Sequence, residues 1–358
     1  MRSPFALVLW LQPDCESTRP LLLDNSPISS CAIQFCLWQE NSIRTVKSVG
    51  VSHCGTCTLF FTVVQHGSMA KAAVQLGISQ PSVSEAIADL EQTLDARLFD
   101  RRPRGVEPTL YGKALLRRTR AVFDELRQGV RDIEFLSDPA VGEVRIGCPP
   151  AAMATFLLQV IQDFSEAYPK VALSVSEVPV AAYSGLRDRT HDLHLEWCVP
   201  PFSREEVGND VEVDFLFDDH LVIVAGLRSQ WARRRKIDLA DLQAEPWILG
   251  APSTANYAHI AEAFRARGLA MPKIALETHS VPLRAHFLVT GRFIGAMPKS
   301  IASRSPVKIL PVELPLRPWP FAIFTLKDRT LSPAADQFIA HIRNFARSSP
   351  ANGPPRHR

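Results

Sequence analysis

No apolar run in the chain reaches the roughly 18 residues a membrane-spanning helix needs, so no spanning segment is expected. The apolar stretch Phe5 to Leu11 behind Arg2 is short, and no small-residue cleavage site follows it, so a cytoplasmic protein is expected. Cysteine is scarce and badly placed for cross-linking. There are seven, an odd number; Cys15, Cys31, Cys36, Cys54 and Cys57 crowd the first 57 residues, and Cys148 and Cys198 stand alone. That excludes the disulfide framework of a small secreted domain. Cys31, Cys36, Cys54 and Cys57, with His53 nearby, have the number of ligands zinc takes. Cys57, however, falls inside a helical pattern required elsewhere, and no metal is assigned. Also missing are a Gly-rich phosphate loop, a nucleophile elbow and a metal-spaced cluster. Histidines are present (His191, His194, His220, His259, His279, His286), but His191-x-x-His194 is expected to straddle the start of a strand with its rings on opposite faces. No catalytic residue and no cofactor is therefore assigned, and the chain is not expected to be an enzyme.

Net charge is nearly absent too: 40 basic against 37 acidic residues leaves +3, which alone points to no nucleic-acid partner. Its distribution is more telling. Between residues 97 and 120 stand Arg97, Arg101, Arg102, Arg104, Lys113, Arg117, Arg118 and Arg120, against only Asp100 and Glu107. Such a local excess is suited to phosphates, although a solvated basic face has the same composition. The 358 residues, 46% hydrophobic, suit two or three folded domains.

Residues 1–55 show no sustained period and are expected to form a poorly ordered extension. From Thr58 to Leu94 the pattern is helical. Phe60, Val63 and Val64 make one apolar face that ends at Gly67; Ser68 is placed to cap a helix carrying Ala72, Ala73 and Leu76. Gly77 ends that helix, Ile78 reads as a buried turn residue, and Ser79 opens a third helix with Pro81 in its first turn. Val83, Ile87, Leu90 and Leu94 form its inner stripe. Two short helices joined by a tight glycine turn are a helix-turn-helix. Residues 97–109, with Pro103, Gly105 and Pro108, read as a small β-hairpin, a wing. A long helix follows, about Tyr111 to Leu136, with Leu115, Thr119, Val122, Leu126, Val130 and Ile133 as a seam suited to pairing with a second chain. Beyond Asp138-Pro139 strands and helices alternate. Strands are expected at 143–148, 171–178, 192–197, 220–225, 247–249, 273–278, 293–296, 307–311 and 321–326; helices at 152–168, 256–267, 281–290 and 333–346. This alternation predicts α/β lobes with mostly parallel sheets.

The second helix of a helix-turn-helix offers its N-terminal side chains to base edges in the major groove. Here Ser79, Gln80, Pro81, Ser82, Ser84 and Glu85 occupy that turn. Gln80 can pair bidentately with adenine, and Glu85 can accept from cytosine. Arg101, Arg102 and Arg104 would grip phosphate or enter the minor groove. Ser68, at the head of the preceding helix, completes the expected DNA-binding set. The run FFTVVQHGSMAKAAVQLGISQPSVSEAIADLEQTLDARLFDRRPRGVEPTLYG, Phe60 to Gly112, closely resembles the DNA-binding domain of LysR-type regulators. Gly67-Ser68, Ala72-Ala73, Leu76, Ser79-Gln80-Pro81, Val83-Ser84, Leu90-Glu91, Leu98-Phe99, Arg101, Thr109 and Gly112 carry the likeness. Within that family, Arg104 to Thr109 and Phe123 to Leu126 resemble regulators of sugar-binding proteins.

The resemblance implies a layout: an N-terminal extension (1–55), an all-α winged helix-turn-helix (56–112), a dimerising linker helix (113–138) and an α/β effector domain like periplasmic solute-binding proteins (142–347), before a disordered tail (348–358). Lobe I of the effector domain would span about 142–218 and 319–347, lobe II about 219–318. It also implies homodimers or homotetramers, an interrupted inverted repeat in promoter DNA, contact with RNA polymerase, and a small-molecule effector between the lobes. Because α/β sheets bind ligands beyond the carboxyl ends of their strands, Pro149, Pro150, Ala151, Ala152, Trp197 and Cys198 are expected on one wall. Pro252, Ser253, Thr254, His279, Ser280 and Val281 are expected on the other. The helix starts there suit an anionic ligand, and the branch resemblance suggests a sugar-like one; Ser253 and Ser280 can equally be plain helix caps. Two departures stand out. Pro-Pro-Ala-Ala follows the first strand where many relatives have a hydroxyl, and Glu85 puts a carboxylate where a basic or amide side chain is usual. Two other readings remain open at this point: a DNA-binding protein whose C-terminal half only assembles it, and an α/β enzyme.

Overall fold

The computed structural model describes residues 52–103, 105–199 and 202–348. Residues 1–51 of the expected extension, with the zinc candidates Cys31 and Cys36, residues 349–358 of the expected tail, and Arg104 lie outside them; residues 52–55, expected in the poorly ordered extension, are instead helical. Contacts divide the chain into two units, one through Ala114 and one from Leu115 onward.

In the first unit, α1 (Ser52–His66), α2 (Met69–Leu76) and α3 (Gln80–Thr93) precede a hairpin of β1 (Phe99–Arg102) and β2 (Gly105–Pro108). Thus α1 begins at Ser52, several residues before the pattern becomes regular, and Cys57 lies within it. The three helices close on Phe60, Val63, Ala72, Val83, Ile87 and Leu98, none more than 1% exposed. The turn between α2 and α3 needs Gly77, whose left-handed φ of 67° lets its N–H cap Ala73 and Val74. Ile78, expected to be buried, is 43% exposed: the left-handed turn rotates it outward.

Helix α4 (Leu110–Ser137) is uninterrupted for 28 residues. In the second unit it is followed by β3 (Gly142–Cys148), a helix from Pro150 whose residues Met153–Leu157 widen into a π turn before α5 (Leu158–Ala167), then β4 (Val171–Glu177) and β5 (Leu193–Trp197). A strand not anticipated, β6 (Val211–Asp219), leads to β7 (Leu221–Gly226), β8 (Trp247–Leu249), α6 (Ala255–Ala266), β9 (Ile274–Glu277), α7 (Val281–Val289) and β10 (Ile294–Pro298). The chain closes with β11 (Val307–Ile309), β12 (Trp319–Leu326) and α8 (Pro333–Ser348). Two five-stranded sheets result, β4-β3-β5-β12-β6 (lobe I) and β11-β7-β10-β8-β9 (lobe II). They are mixed, correcting the expectation of mostly parallel sheets. β12 runs antiparallel to both β5 and β6, and β7 antiparallel to β10 and β11. The physical reason is connectivity: the chain crosses between the sheets at His220 and again over residues 310–318, and each crossing delivers a strand with reversed direction. β6 escaped notice because its acids, Glu212 and Asp214, lie on a partly exposed edge strand.

Lobe I is held to α4 by buried charge. Asp124, fully buried on the inner face of α4, accepts from Arg329 Nε (2.7 Å) and Nη2 (3.1 Å) and from Arg189 Nη1 (3.0 Å). Arg329 also donates to Asp192 (2.8 Å), which takes a forked bond from Arg145. Arg189 reaches Glu125 as well (2.9 Å), and its backbone sits at a left-handed φ of 57°, a strained position for a non-glycine residue. Arg120 with Asp188 and Arg131 with Glu143 extend the attachment at both ends. The opposite side of α4 leaves Val122, Ile133 and Leu136 at least 48% exposed.

Candidate DNA-contacting and effector-binding sites

The hairpin of the first unit is fixed by residues that looked like motif letters in the sequence. Glu91 on α3 accepts from the N–H groups of Leu98 (2.6 Å) and Phe99 (3.1 Å). Thr109 donates to the Arg97 carbonyl (2.6 Å) and accepts from Gly112 N (3.1 Å), tying the far side of the wing to α4. Gly105, at φ 141°, lies against the Gly67 carbonyl so closely that any Cβ would collide with it, while Val106 N donates to that same oxygen (2.9 Å). The wing therefore needs Gly105, while Gly67 is favoured only by its own left-handed φ of 60°, and the Val106 bond ties the hairpin to the turn after α1.

Around it the candidate DNA-contacting residues divide. Ser79 caps α3, accepting from Ser82 N (3.2 Å), with the two hydroxyls 2.8 Å apart. Ser68 caps α2 through a long bond to Lys71 N (3.5 Å). Gln80, Pro81, Ser82 and Glu85 are exposed on the first turns of α3, while Val83, Ile87 and Leu90 on its other side are buried. Ser84 is half-buried and donates to the Met69 sulfur (3.2 Å), so it faces α2. On the wing, Arg101 and Arg102 are exposed; Arg102 pairs with Glu107 (3.2 Å), and that pair, both members well over half exposed, adds little stability.

In the second unit the walls proposed for the effector differ in chemistry. After β3, Pro149 is buried, Pro150 and Ala151 are half-buried and Ala152 is buried; the helix start has no side-chain cap. Trp197 is 6% exposed and donates its indole N–H to Asp219 (2.9 Å). Asp219 also accepts from the Ser300 hydroxyl (2.5 Å) and amide (3.1 Å), so this buried carboxylate ties lobe I to lobe II beside the His220 crossing. Cys198 is 1% exposed and packs with Tyr183, Leu186 and Phe324, offering a ligand no surface in this conformation. Burial, followed by the nearby Glu196 carboxylate, pushes the Cys148 and Cys198 thiols far above the ordinary range, so neither is a thiolate near neutrality.

Lobe II's helix starts are hydroxyl-capped. Thr254, not Ser253, caps α6: its hydroxyl donates to the Ala251 carbonyl (2.7 Å) and accepts from Tyr257 N (3.4 Å). Ser280 caps α7, accepting from Leu283 N (3.3 Å). Pro252, Ser253, His279 and Ser280 are exposed, and Val281 is half-buried. Sequence reasoning missed Arg284. It stands in the first turns of α7, where a cation faces the positive end of the helix, and its guanidinium approaches Thr254 across Gly250. Burial lowers its pKa, and no carboxylate among the described residues pairs with it. A basic residue so early in a helix was the available signal.

The histidine pair corrects a sequence expectation. β5 begins at Leu193, so His191 lies in the preceding turn and not in strand register. Its Nδ1 therefore meets His194 Nε2 at 2.9 Å, and the rings lie together instead of on opposite faces. Burial, with the neighbouring His191, drops His194 from its ordinary 6.5 to about 4.

A glycine-turned helix pair with a β wing, followed by a long helix and a two-lobed α/β domain, defines a DNA-binding regulator with a ligand-binding-type C-terminal half. Residues 56–113 match the bacterial regulatory helix-turn-helix protein, lysR family, and residues 137–347 match the LysR substrate binding domain. The chain belongs to the LysR family of transcriptional regulators. Among curated relatives it is 26% identical over 291 residues to the HTH-type transcriptional regulator TdcA of Escherichia coli, covering 80% of this chain and 91% of that one. It is 28% identical over 298 residues to GbpR of Azospirillum brasilense, 80% of this chain and 84% of that one. Full-length OxyR from Pseudomonas aeruginosa shares the fold, with TM-score 0.60 at 18% identity over 85% of this chain and 98% of that one. CbnR, a LysR family transcriptional regulator, does so with TM-score 0.53 at 19% identity over 82% and 99%. Among the described residues no helix is long and apolar enough to cross a membrane.

Proposed function

We propose that this regulator binds promoter DNA sequence-specifically as a cytoplasmic homo-oligomer, and that a small anionic molecule held between the lobes adjusts its grip. The observation that carries the reading is the division of α3. Its inner stripe of Val83, Ile87 and Leu90 is locked in a core, while Gln80, Ser82 and Glu85 are exposed on its first turns, and the wing carries the exposed Arg101 and Arg102. Gln80 then reads an adenine, the wing arginines hold phosphate, and Ser68 and Ser79 order the turns that present them. Glu85 faces bases only where a cytosine amino group can donate to it. Residues 56–112 act as the DNA-binding head, 113–138 as the linker and 142–347 as the effector domain. The exposed Val122, Ile133 and Leu136 stripe of the linker is the surface for a second copy.

Arg284, with the capped helix starts of lobe II, supports an anionic effector whose charged end is held by that lobe, while the apolar Pro149–Ala152 wall takes its body. The test is footprinting of DNA upstream of its own gene across a salt series. Protection of an interrupted inverted repeat is expected, weakening steeply with salt. Gln80→Ala should relax discrimination at one base by about 1–3 kcal/mol, whereas Arg102→Ala should weaken all sequences alike and reduce the salt slope by about one. Equal loss on every sequence from Gln80→Ala would remove it from base reading.

A further inference from the structure

A groove of about 930 Å³ opens on lobe II away from the cleft positions 149–152, 252–254 and 279–281, none of which lines it. Four separate chain segments bring cations to it: Arg235 and Lys236 before the turn at Leu239, Arg267 at the end of α6, Lys299 just after β10, and Arg317 in the return crossing. Against these five stand two acids, Asp238 and Glu313. Asp238 is engaged by its own turn, accepting from Ala240 N (3.0 Å). Arg267 reaches only a backbone carbonyl, that of Glu313 (3.5 Å). Among the described residues none of the five forms an ion pair with a carboxylate. Like charges gathered in one concavity repel, and the arrangement is relieved by an anion carrying several charges. The floor is apolar: Leu221, Ile237, Leu239 and Leu310 are each no more than 5% exposed, and Val312, Leu314 and Leu316 are half-buried above them. A lone inorganic anion would leave that floor uncovered.

We propose that this groove is a second ligand site, for a small organic phosphate with two or more phosphate groups and an apolar part. Arginine and lysine hold the phosphates through charge-assisted hydrogen bonds, and the Leu310–Leu316 side covers the remainder. The groove is lined by both crossings between the lobes, His220 on the way out and residues 311–317 on the way back. An occupant that prefers one arrangement of those crossings shifts the balance of lobe positions, and so acts on the same equilibrium as a cleft ligand.

The test is calorimetric titration of the full-length protein, without DNA, with tripolyphosphate and with ATP at low salt. One site per chain is expected for both, with ATP tighter because it covers the apolar floor. Arg235→Gln with Lys236→Gln should weaken both ligands at least about tenfold, the loss of two charged hydrogen bonds; all these side chains are exposed, so the variant keeps the wild-type Tm. Lys273→Gln, at an exposed cation of lobe II that lines neither the groove nor the cleft positions, should leave both affinities unchanged. Absence of saturable binding overturns the proposal, as does binding indifferent to the groove variant. If instead the groove variant weakens DNA binding while tripolyphosphate acts no differently from equal ionic strength, the groove holds a DNA backbone and the small-molecule site is lost.

Discussion

The two lobes share a sheet architecture but are stabilised by different chemistry. Lobe I, with the α4 face packed on it, buries Asp124, Arg189, Asp192, His194, Glu196 and Arg329. Lobe II, among its described residues from Leu221 to Leu316, buries no charged side chain, only uncharged groups such as the hydroxyls of Ser229 and Ser300 and the indole of Trp247, and fills its interior with Trp247, Phe264, Ile260 and Ile223. Five of its cations, Arg235, Lys236, Arg267, Lys299 and Arg317, line the groove. A buried charge network is costly unless every member is matched, and so it tolerates few geometries. The difference teaches that α4 and lobe I are joined by matched buried charge, whereas lobe II is held by apolar packing alone.

The largest expected effect breaks the lobe I side of this contrast. Asp124→Ala leaves Arg329 and Arg189 buried beside an empty space, and removal of one member of a buried pair costs about 3–5 kcal/mol. Denaturant unfolding should show that loss, and hydrogen exchange should localise it to α4, β5 and the start of α8. Asp124→Leu combined with Arg329→Met should recover most of it, because Asp192 keeps Arg145 and Arg189 keeps Glu125. A loss below about 1 kcal/mol, the range of exposed pairs, would show that α4 is not clamped.

Acid should separate the lobes next. His194 is neutral when folded, with its pKa near 4 against an ordinary 6.5, so the unfolded chain takes up the proton first as pH falls. The stability tied to this group is intact above about 6.5 and is lost as pH falls towards 4, about 3 kcal/mol in all. Asp192 acts lower. Burial opposes its ionisation, but the Arg145 guanidinium holds its carboxyl below the ordinary range, so its contribution is lost only as pH falls beneath about 3.8. Hydrogen exchange at pH 7 and pH 5 should therefore show β3 and β5 losing protection while β8 and β10 keep theirs. His194→Gln should abolish the difference. Equal loss in both lobes would mean that buried charge does not distinguish them.

Lobe II was also the more legible half. The strand at 247–249 was bounded correctly, and the helix expected at 281–290 matches α7 to within one residue. Most of the helix-turn-helix was readable, because glycine turns, caps and a stripe at three- and four-residue spacing are local signals; Ile78 and Leu94, expected inside, are each 43% exposed, Leu94 because it is the C-cap beyond the last turn of α3. The lobe I network was not readable: residues 124, 145, 189, 192 and 329 carry no common pattern, and only the closed sheet brings them together. β6 was missed because an edge strand with alternating acids has the composition of a loop, and the histidine pair was misjudged because one residue of strand register decides which way a ring points. At the candidate effector site the loops were located but the chemistry was not. Nothing in the order Pro252-Ser253-Thr254 says which hydroxyl turns inward.

That last point gives the smallest effect and the finest test of the comparison. Lobe I begins its cleft helix with Pro149-Pro150, rigid and without a side-chain cap, whereas lobe II relies on Thr254 to accept from Tyr257 N and to hold the Ala251 carbonyl. Thr254→Ala removes both bonds and should cost about 1 kcal/mol, the usual value of a lost cap. Ser253→Ala, one residue earlier and exposed, removes neither and should cost nothing measurable. Thermal unfolding of the two variants side by side resolves the difference. If Ser253→Ala proves as costly as Thr254→Ala, the cap belongs to the other hydroxyl, Gly250 is not crowded by Thr254, and Arg284 loses the neighbour that positions it beside the start of α6.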